Sequence, residues 1–340
     1  MATDAGDNRW QLGSEPARMP LARALPVLAL VAIAAGGPLL VPSIPAPGTS
    51  PARALGDDDS RFASLAGVEV HHKVAGDRGD PAVVLLHHFY GNVSTWRHVQ
   101  RALSDRFHVA AFDRPAFGLT QRPPREAWNG TNPYTRATSA RITVELLDRL
   151  EVDQAVLVGS SAGGTSALET YARSPERVRA LVLVSPAITG DVGPPSWLRP
   201  ALRTPQLRRI GPRIVRRAAG EVTVERVAGS WFDPSRATEE DVAAYTRPLQ
   251  VDGWDVGYWE LFAADPPPNL SALLPRIDVP TLVVSGDSDP VIAPRFSRRT
   301  AQAIPGAEYV ELKRCGHTPQ EECPEAFEAV VRDFLDGLPG

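Results

Sequence analysis

From about Phe62 onward, short apolar runs alternate with longer segments whose apolar residues recur at helical spacing. That alternation is the pattern of a mostly parallel sheet covered on both faces by helices, the α/β class. AVVLL (Ala82–Leu86), VAAF (Val109–Phe112), AVLV (Ala155–Val158), ALVLV (Ala180–Val184) and TLVVS (Thr281–Ser285) read as buried central strands. Val68–Val74 alternates as an edge strand does, and Tyr309–Leu312 reads as a further strand. Helices are predicted over Ser139–Leu150, with Ile142, Leu146, Leu147 and Leu150 on one face, and over Ala162–Arg173, which Ser174-Pro175 ends. Another starts near Pro324.

Between residues 188 and 268 the rhythm breaks. The stretch is rich in Arg, Pro and Trp, with helical pieces at Gln206–Ala219 and Thr238–Thr246 and no buried strand. It reads as a helical cap inserted into a core formed by residues 62–187 and 269–340. Its Trp197, Trp231, Trp254 and Trp259 hint at an apolar substrate cavity, although packing is the commoner role of tryptophan in such insertions.

Ahead of the core lie a flank (residues 1–23), an apolar segment (24–41) and a Pro-rich linker (42–61). Arg18 and Arg23 precede the apolar segment, whereas Asp57, Asp58 and Asp59 follow the linker. Positive charge stays inside, so the segment is expected to engage the membrane and the remainder of the chain to lie outside the cytoplasm. It serves either as a transmembrane anchor or as a signal removed after Ala52-Arg53-Ala54, and a translation start at Met19 would make it look more like a cleaved signal.

Composition narrows the function. The chain has 340 residues, 43% hydrophobic and 22% charged, with a net charge of -4 and scattered arginines, so it offers no basic field for nucleic acid. Cys315 and Cys323 cannot assemble a four-ligand zinc site; they could bridge in an exported protein, but a structural pair of free thiols is the expectation. No metal or cofactor is expected.

The chemistry is carried by Gly159-Ser160-Ser161-Ala162-Gly163-Gly164, set between a strand and a helix. Flanking glycines permit a tight turn that lifts the Ser161 hydroxyl to a helix N-terminus, where free N–H groups favour an oxyanion. A serine needs a base. Of the 7 histidines, His317 is best placed, in the loop Cys315-Gly316-His317-Thr318-Pro319; His71, His72, His98 and His108 fall on strands or helices, where packing or surface roles are expected. The histidine needs a carboxylate to fix its tautomer. Gly286-Asp287-Ser288-Asp289-Pro290 offers Asp289, with Asp287 as turn-former or alternative acid. The backbone N–H groups of Phe89, in Leu86–Gly91, and of Ala162 are the candidate oxyanion donors.

From about Phe62 to the C-terminus the sequence resembles the α/β-hydrolase superfamily, in its capped branch of esterases, lipases, carbon–carbon bond hydrolases, haloperoxidases and epoxide hydrolases. LLHHFYGN resembles the oxyanion loop, FDRPAFGLTQRP the Asp-x-x-Gly-x-Gly-x-Ser turn, and GDSDPVIAP with GHTPQEECPEAF the acid and histidine loops. Serine at the elbow sets the chain apart from epoxide hydrolases and haloalkane dehalogenases, which use aspartate there. The resemblance implies a serine hydrolase acting on a small, apolar acyl substrate. A carbon–carbon bond hydrolase or cofactor-free haloperoxidase with the same triad, and a non-enzymatic ligand receptor, are the alternatives. Two residues depart from the family pattern, which has glycine in both places. His88 either projects an imidazole near the nucleophile or turns away from it, and Ala116 sits in the turn motif. Asp113 and Arg114 read as turn and packing residues.

Overall fold

In the computed structural model, residues 36, 37, 39, 40, 42, 45–188, 193–264 and 269–339 are described, the side chains of 219–228 excepted. The strands are β1 (Arg61–Leu65), β2 (Val68–Ala75), β3 (Ala82–Leu86), β4 (His108–Phe112), β5 (Ala155–Ser160), β6 (Val178–Val184), β7 (Thr281–Gly286) and β8 (Glu308–Leu312). They pair in one sheet in the order β1-β2-β4-β3-β5-β6-β7-β8, antiparallel at β1–β2 and β2–β4 and parallel from β4 to β8. The helices used below are α1 (Arg97–Leu103), α2 (Arg136–Leu150), α3 (Ala162–Arg173), α4 (Pro205–Gly229), α5 (Glu239–Thr246), α6 (Trp254–Ala263), α7 (Pro294–Ala303) and α8 (Pro324–Asp336).

The near-continuous apolar strands are explained by burial on both faces. In β3, Val84 and Leu86 join Ile142, Leu146 and Leu168 beneath α2 and α3. Val83 and Leu85 point the other way, onto Val99, Leu103, Phe327 and Val331 from α1 and α8. Each such side chain contributes about 1.5–3 kcal/mol of burial. The sheet is thereby a rigid base from which the loops at its carboxyl end project.

Several elements differ from the sequence reading. Val68–Val74 is not the edge, because β1 pairs outside it from Arg61↔His72 to Leu65↔Val68. RFASL is too short and too mixed to announce itself as a strand. Helix α2 starts three residues before Ser139, where the Thr135 side chain accepts a hydrogen bond from Thr138 N at 3.2 Å. Helix α4 runs past Ala219 to Gly229. Helix α6, WDVGYWELFA, went unpredicted because it is apolar around most of its circumference and shows no stripe.

Helices α4 to α6 lie between β6 and β7 in sequence, and α4 and α6 build a separate apolar cluster with Phe117 and Tyr134. Trp254 and Trp259 belong to that cluster, Trp231 is buried, and Trp197 is 77% exposed. The Pro-rich stretch is docked rather than loose. Ser50 N donates to Gln250 O at 2.8 Å, Asp252 N donates to Ser50 O at 2.9 Å, and Arg213 reaches Pro42 O at 2.9 Å.

Cys315 and Cys323 form a disulfide with Cα atoms 6.3 Å apart, which corrects the expectation of free thiols. The one-turn helix Pro319–Glu322 folds the chain back so that Cys323 meets Cys315. The apolar segment expected over 24–41, and with it Arg18, Met19 and Arg23, falls outside the described residues apart from 36, 37, 39 and 40. No helix among the described residues is long and apolar enough to cross a membrane.

Candidate active site

Ser161 occupies the turn from β5 into α3 with φ 50° and ψ -111°, a conformation that non-glycine residues rarely adopt and that a surrounding framework must enforce. Ser161 N donates to Val184 O at 2.8 Å, and its carbonyl accepts from Ala187 N at 3.2 Å. The reason for Gly163 is close approach: a Cβ there would lie 2.0 Å from Leu86 O on β3. Ser161 is thus held above the sheet at the first turn of α3, while its neighbour Ser160 is fully buried with Gln320 Nε2 3.4 Å from its hydroxyl.

His317 and Asp289 meet across two loops. His317 Nδ1 lies 2.9 Å from Asp289 Oδ2, and Asp289 Oδ1 accepts from Val291 N and Ile292 N, both at 2.8 Å. A carboxylate held at both oxygens fixes the Nδ1–H tautomer and leaves Nε2 available as a base. Asp287 faces elsewhere: its Oδ1 accepts from Arg314 N at 2.9 Å and from Ser288 Oγ at 2.8 Å, the bonds of a turn-former. Of the two hydrogen bonds that a Ser–His–Asp triad uses, the structure holds the one between His317 and Asp289.

The histidine loop is fastened to the cap by a residue the sequence did not single out. Glu322, buried, accepts from Gly316 N at 2.6 Å and Phe232 N at 3.0 Å through Oε2, and from Asp233 N at 2.9 Å through Oε1. His317 N adds a bond to Ser230 O at 2.7 Å. A glutamate in a short helix carries no local signature of such a role. Glu322 also lies beside Cys315 and Cys323, but those sulfurs are joined to each other and its oxygens serve backbone amides, so the cluster does not suit a metal.

The loop carrying Phe89 is held from beneath. The His88 carbonyl accepts from His87 Nδ1 at 2.8 Å, Arg114 Nη2 at 3.0 Å and Gly91 N at 3.1 Å, while His87 Nε2 accepts from Arg114 N at 3.0 Å. Those bonds need a neutral His87, and burial, reinforced by the Arg114 charge, pushes its pKa down to about 3. Burial also lowers Arg114, to about 9. Asp113 anchors the turn that follows β4, accepting from Val93 N at 2.7 Å, Leu119 N at 2.6 Å and His71 Nδ1 at 2.6 Å. Burial opposes its ionisation, but the His71 charge and these bonds hold its pKa below the usual range. Ala116 takes φ 80°, so this chain keeps the left-handed turn without the glycine.

Phe89 and Ala162 line a common cavity of about 60 Å³, which Phe117, Tyr134, Phe262, Arg114, Arg136 and Arg199 also line, the three arginines donating to the carbonyls of His88, Ala162 and Ala264. The cap tryptophans do not line it.

Residues 81–324 match the family model described as alpha/beta hydrolase fold. The chain belongs to the α/β-hydrolase family. This hydrolase is 26% identical over 311 residues to a 2-hydroxy-6-oxononadienedioate/2-hydroxy-6-oxononatrienedioate hydrolase of Cupriavidus pinatubonensis, covering 87% of this chain and 98% of that protein. Among solved structures, a thermophilic esterase from Thermogutta terrifontis superposes with TM-score 0.66 at 23% identity, covering 82% of this chain and 98% of that one. The enol-lactonase from Burkholderia xenovorans superposes with TM-score 0.60 at 27% identity, covering 81% and 100%.

Proposed function

We propose that this α/β hydrolase is a serine hydrolase that cleaves an ester or related acyl bond through Ser161, His317 and Asp289. The observation that carries the reading is the His317 to Asp289 bond of 2.9 Å, made at the same end of the sheet as the strained elbow of Ser161. In the first step His317 Nε2 takes the Ser161 proton as Oγ attacks the acyl carbon, and the carbonyl oxygen becomes an oxyanion facing the N–H groups of Phe89 and Ala162. His317 then gives the proton to the leaving group, and an acyl-serine remains. Water, deprotonated by His317, releases the acid and restores the serine. A fluorophosphonate probe tests this directly: it should label Ser161 in the folded protein, and labelling should vanish in Ser161→Ala and fall steeply in His317→Ala. Folded protein that resists the probe overturns the reading.

A second reading, carbon–carbon bond hydrolysis by the same residues, draws support from the lining of the cavity. Arg114, Arg136 and Arg199 beside the aromatic wall suit a substrate bearing a carboxylate, and the Cupriavidus relative is named for a dioate substrate. Turnover of dienol ketones in preference to simple acyl esters would favour it.

We propose further that the apolar segment over 24–41 tethers the catalytic domain to a membrane, outside the cytoplasm. The Cys315–Cys323 disulfide supports an oxidising compartment. The pairing of Ser50 with Gln250 and Asp252 favours retention over a cut after Ala54, which would strip from the cap a segment bonded to it. Mass spectrometry of the protein from its native membrane, finding residues 24–41 still attached, is the expected result; a mature chain beginning at Leu55 excludes the anchor.

A further inference from the structure

His88 stands where the family resemblance predicts glycine, and its side chain is built into the protein rather than tolerated by it. His88 Nε2 lies 3.0 Å from the Tyr245 hydroxyl, and that hydroxyl lies 2.7 Å from Glu321 Oε2. All three side chains are buried. Room for the ring comes from Gly91, where a Cβ would sit 2.9 Å from His88 Cε1. The row crosses three separate parts of the molecule: the loop that precedes Phe89, the cap helix α5 and the one-turn helix Pro319–Glu322 that follows His317. None of the three residues belongs to the triad.

We propose that His88, Tyr245 and Glu321 are positioning residues that hold the oxyanion loop in register with the histidine loop through a buried row of hydrogen bonds, and that the proton on Glu321 sets the polarity of the row and with it the reactivity of Ser161. The proposal rests on the reading of Ser161 as the nucleophile.

The hydrogen-bond bookkeeping explains the polarity. With Glu321 neutral, its O–H donates to the Tyr245 oxygen, the Tyr245 O–H donates to His88 Nε2, and each link has one donor and one acceptor. With Glu321 ionised, the Tyr245 O–H turns to the carboxylate and His88 keeps its link to the Tyr245 oxygen only by taking the Nε2–H tautomer, with the proton drawn from its unpartnered Nδ1, so the polarity of the whole row reverses. The new charge also lies behind the loop on which an oxyanion must form, and two negative charges in one desolvated region oppose each other.

The surroundings favour the neutral acid. Burial is the largest influence on Glu321 and raises its pKa to about 8, against the Tyr245 bond and the Arg97 charge, which lower it, and with Asp241, which raises it. Arg97 is itself ion-paired with Asp241 and lies 3.6 Å from Glu240, so it brings Glu321 little uncompensated positive charge. His88 faces His317, His87 and Arg114; burial first, then the cost of adding a further positive charge beside these groups, keeps its pKa well below the ordinary value. Burial first, then the neighbouring Glu321 carboxyl, likewise hold Tyr245 in its phenol form.

The rate at which a fluorophosphonate labels Ser161 measures this without knowledge of the substrate. In the unaltered full chain the rate constant should fall about thirtyfold between pH 7 and pH 9.5, as expected when one proton with a pKa of about 8 controls the active arrangement. Glu321→Gln cannot ionise and should lose that alkaline fall. Should Glu321→Gln fail to fold, Tyr245→Phe, which removes one oxygen, should slow labelling several-fold at pH 7 and flatten the same limb. Labelling with an identical alkaline fall in the unaltered chain and in both variants overturns the proposal and leaves the nucleophile standing. Absence of labelling at every pH in the unaltered, folded chain overturns the nucleophile reading and this proposal with it.

Discussion

Asp289 Oδ2 sits 2.9 Å from His317 Nδ1, whereas the carboxylate of Asp287, two residues earlier in the same loop, is turned to Arg314 N. The two aspartates therefore make opposite predictions. Asp289→Asn presents an amide that no longer fixes the required histidine tautomer, and kcat should fall on the order of 10⁴-fold, the scale seen when a triad acid is replaced this way. Asp287→Asn keeps an acceptor for Arg314 N and should change kcat by less than about threefold, its effect appearing in stability instead. Steady-state kinetics on any ester the enzyme turns over decides between them, and near-wild-type activity in Asp289→Asn would exclude it as the acid.

Glu322 links Gly316 of the histidine loop to Phe232 and Asp233 of the cap by three backbone N–H bonds. Glu322→Gln replaces one accepting oxygen with an NH₂ that must face an N–H donor, so a buried donor loses its partner. The expected loss is about 2 kcal/mol, within the range for hydrogen bonds to a charged group. Urea unfolding measures it, and a variant as stable as the parent would show the fastening to be unimportant.

The Cys315–Cys323 bridge closes a short loop directly around His317. Replacing both cysteines with alanine should lower stability by about 2 kcal/mol, a modest value because short loops release little entropy when opened. Thiol titration of the unreduced, denatured protein should find no free thiols; two free thiols in protein recovered from its native compartment would refute the bridge.

Much of the site was legible because it is local in sequence. Ser161 lies within a strand–turn–helix motif, and Asp289 and His317 follow recognisable strand ends, so their placement needs no knowledge of long-range contacts. What escaped the reading depends on contacts between distant segments. Arg114 supports the His88 carbonyl across 26 residues, Glu322 reaches the cap across 90, and Tyr245 meets His88 across 157. Side chains of this kind carry no periodicity or spacing that announces them. The disulfide was legible only as two cysteines eight residues apart, since the one-turn helix that joins them has no signal of its own. Strand β1 was missed for a related reason: its five residues are defined by pairing with β2, not by an apolar run.

Glu321 also makes a prediction about stability. Its folded pKa is raised to about 8 by burial, whereas an unfolded glutamate titrates near ~4.3. Across that window the folded state holds a proton that the unfolded chain has released, so its contribution to stability falls as pH rises and levels off on either side. Two histidines pull the other way. Burial depresses His87 to about 3 and His72 to about 4, so between those values and the ordinary value near ~6.5 the unfolded chain binds the extra protons and stability rises with pH. The raw pH profile of the parent protein thus mixes opposing slopes, but Glu321→Gln leaves the histidines unchanged. The difference in Tm between Glu321→Gln and the parent isolates the one group: it should move steadily in favour of the variant from pH 5 to pH 8 and stop changing above about pH 8.5. A difference that is flat across the whole range would mean that Glu321 is already ionised in the folded protein at neutral pH.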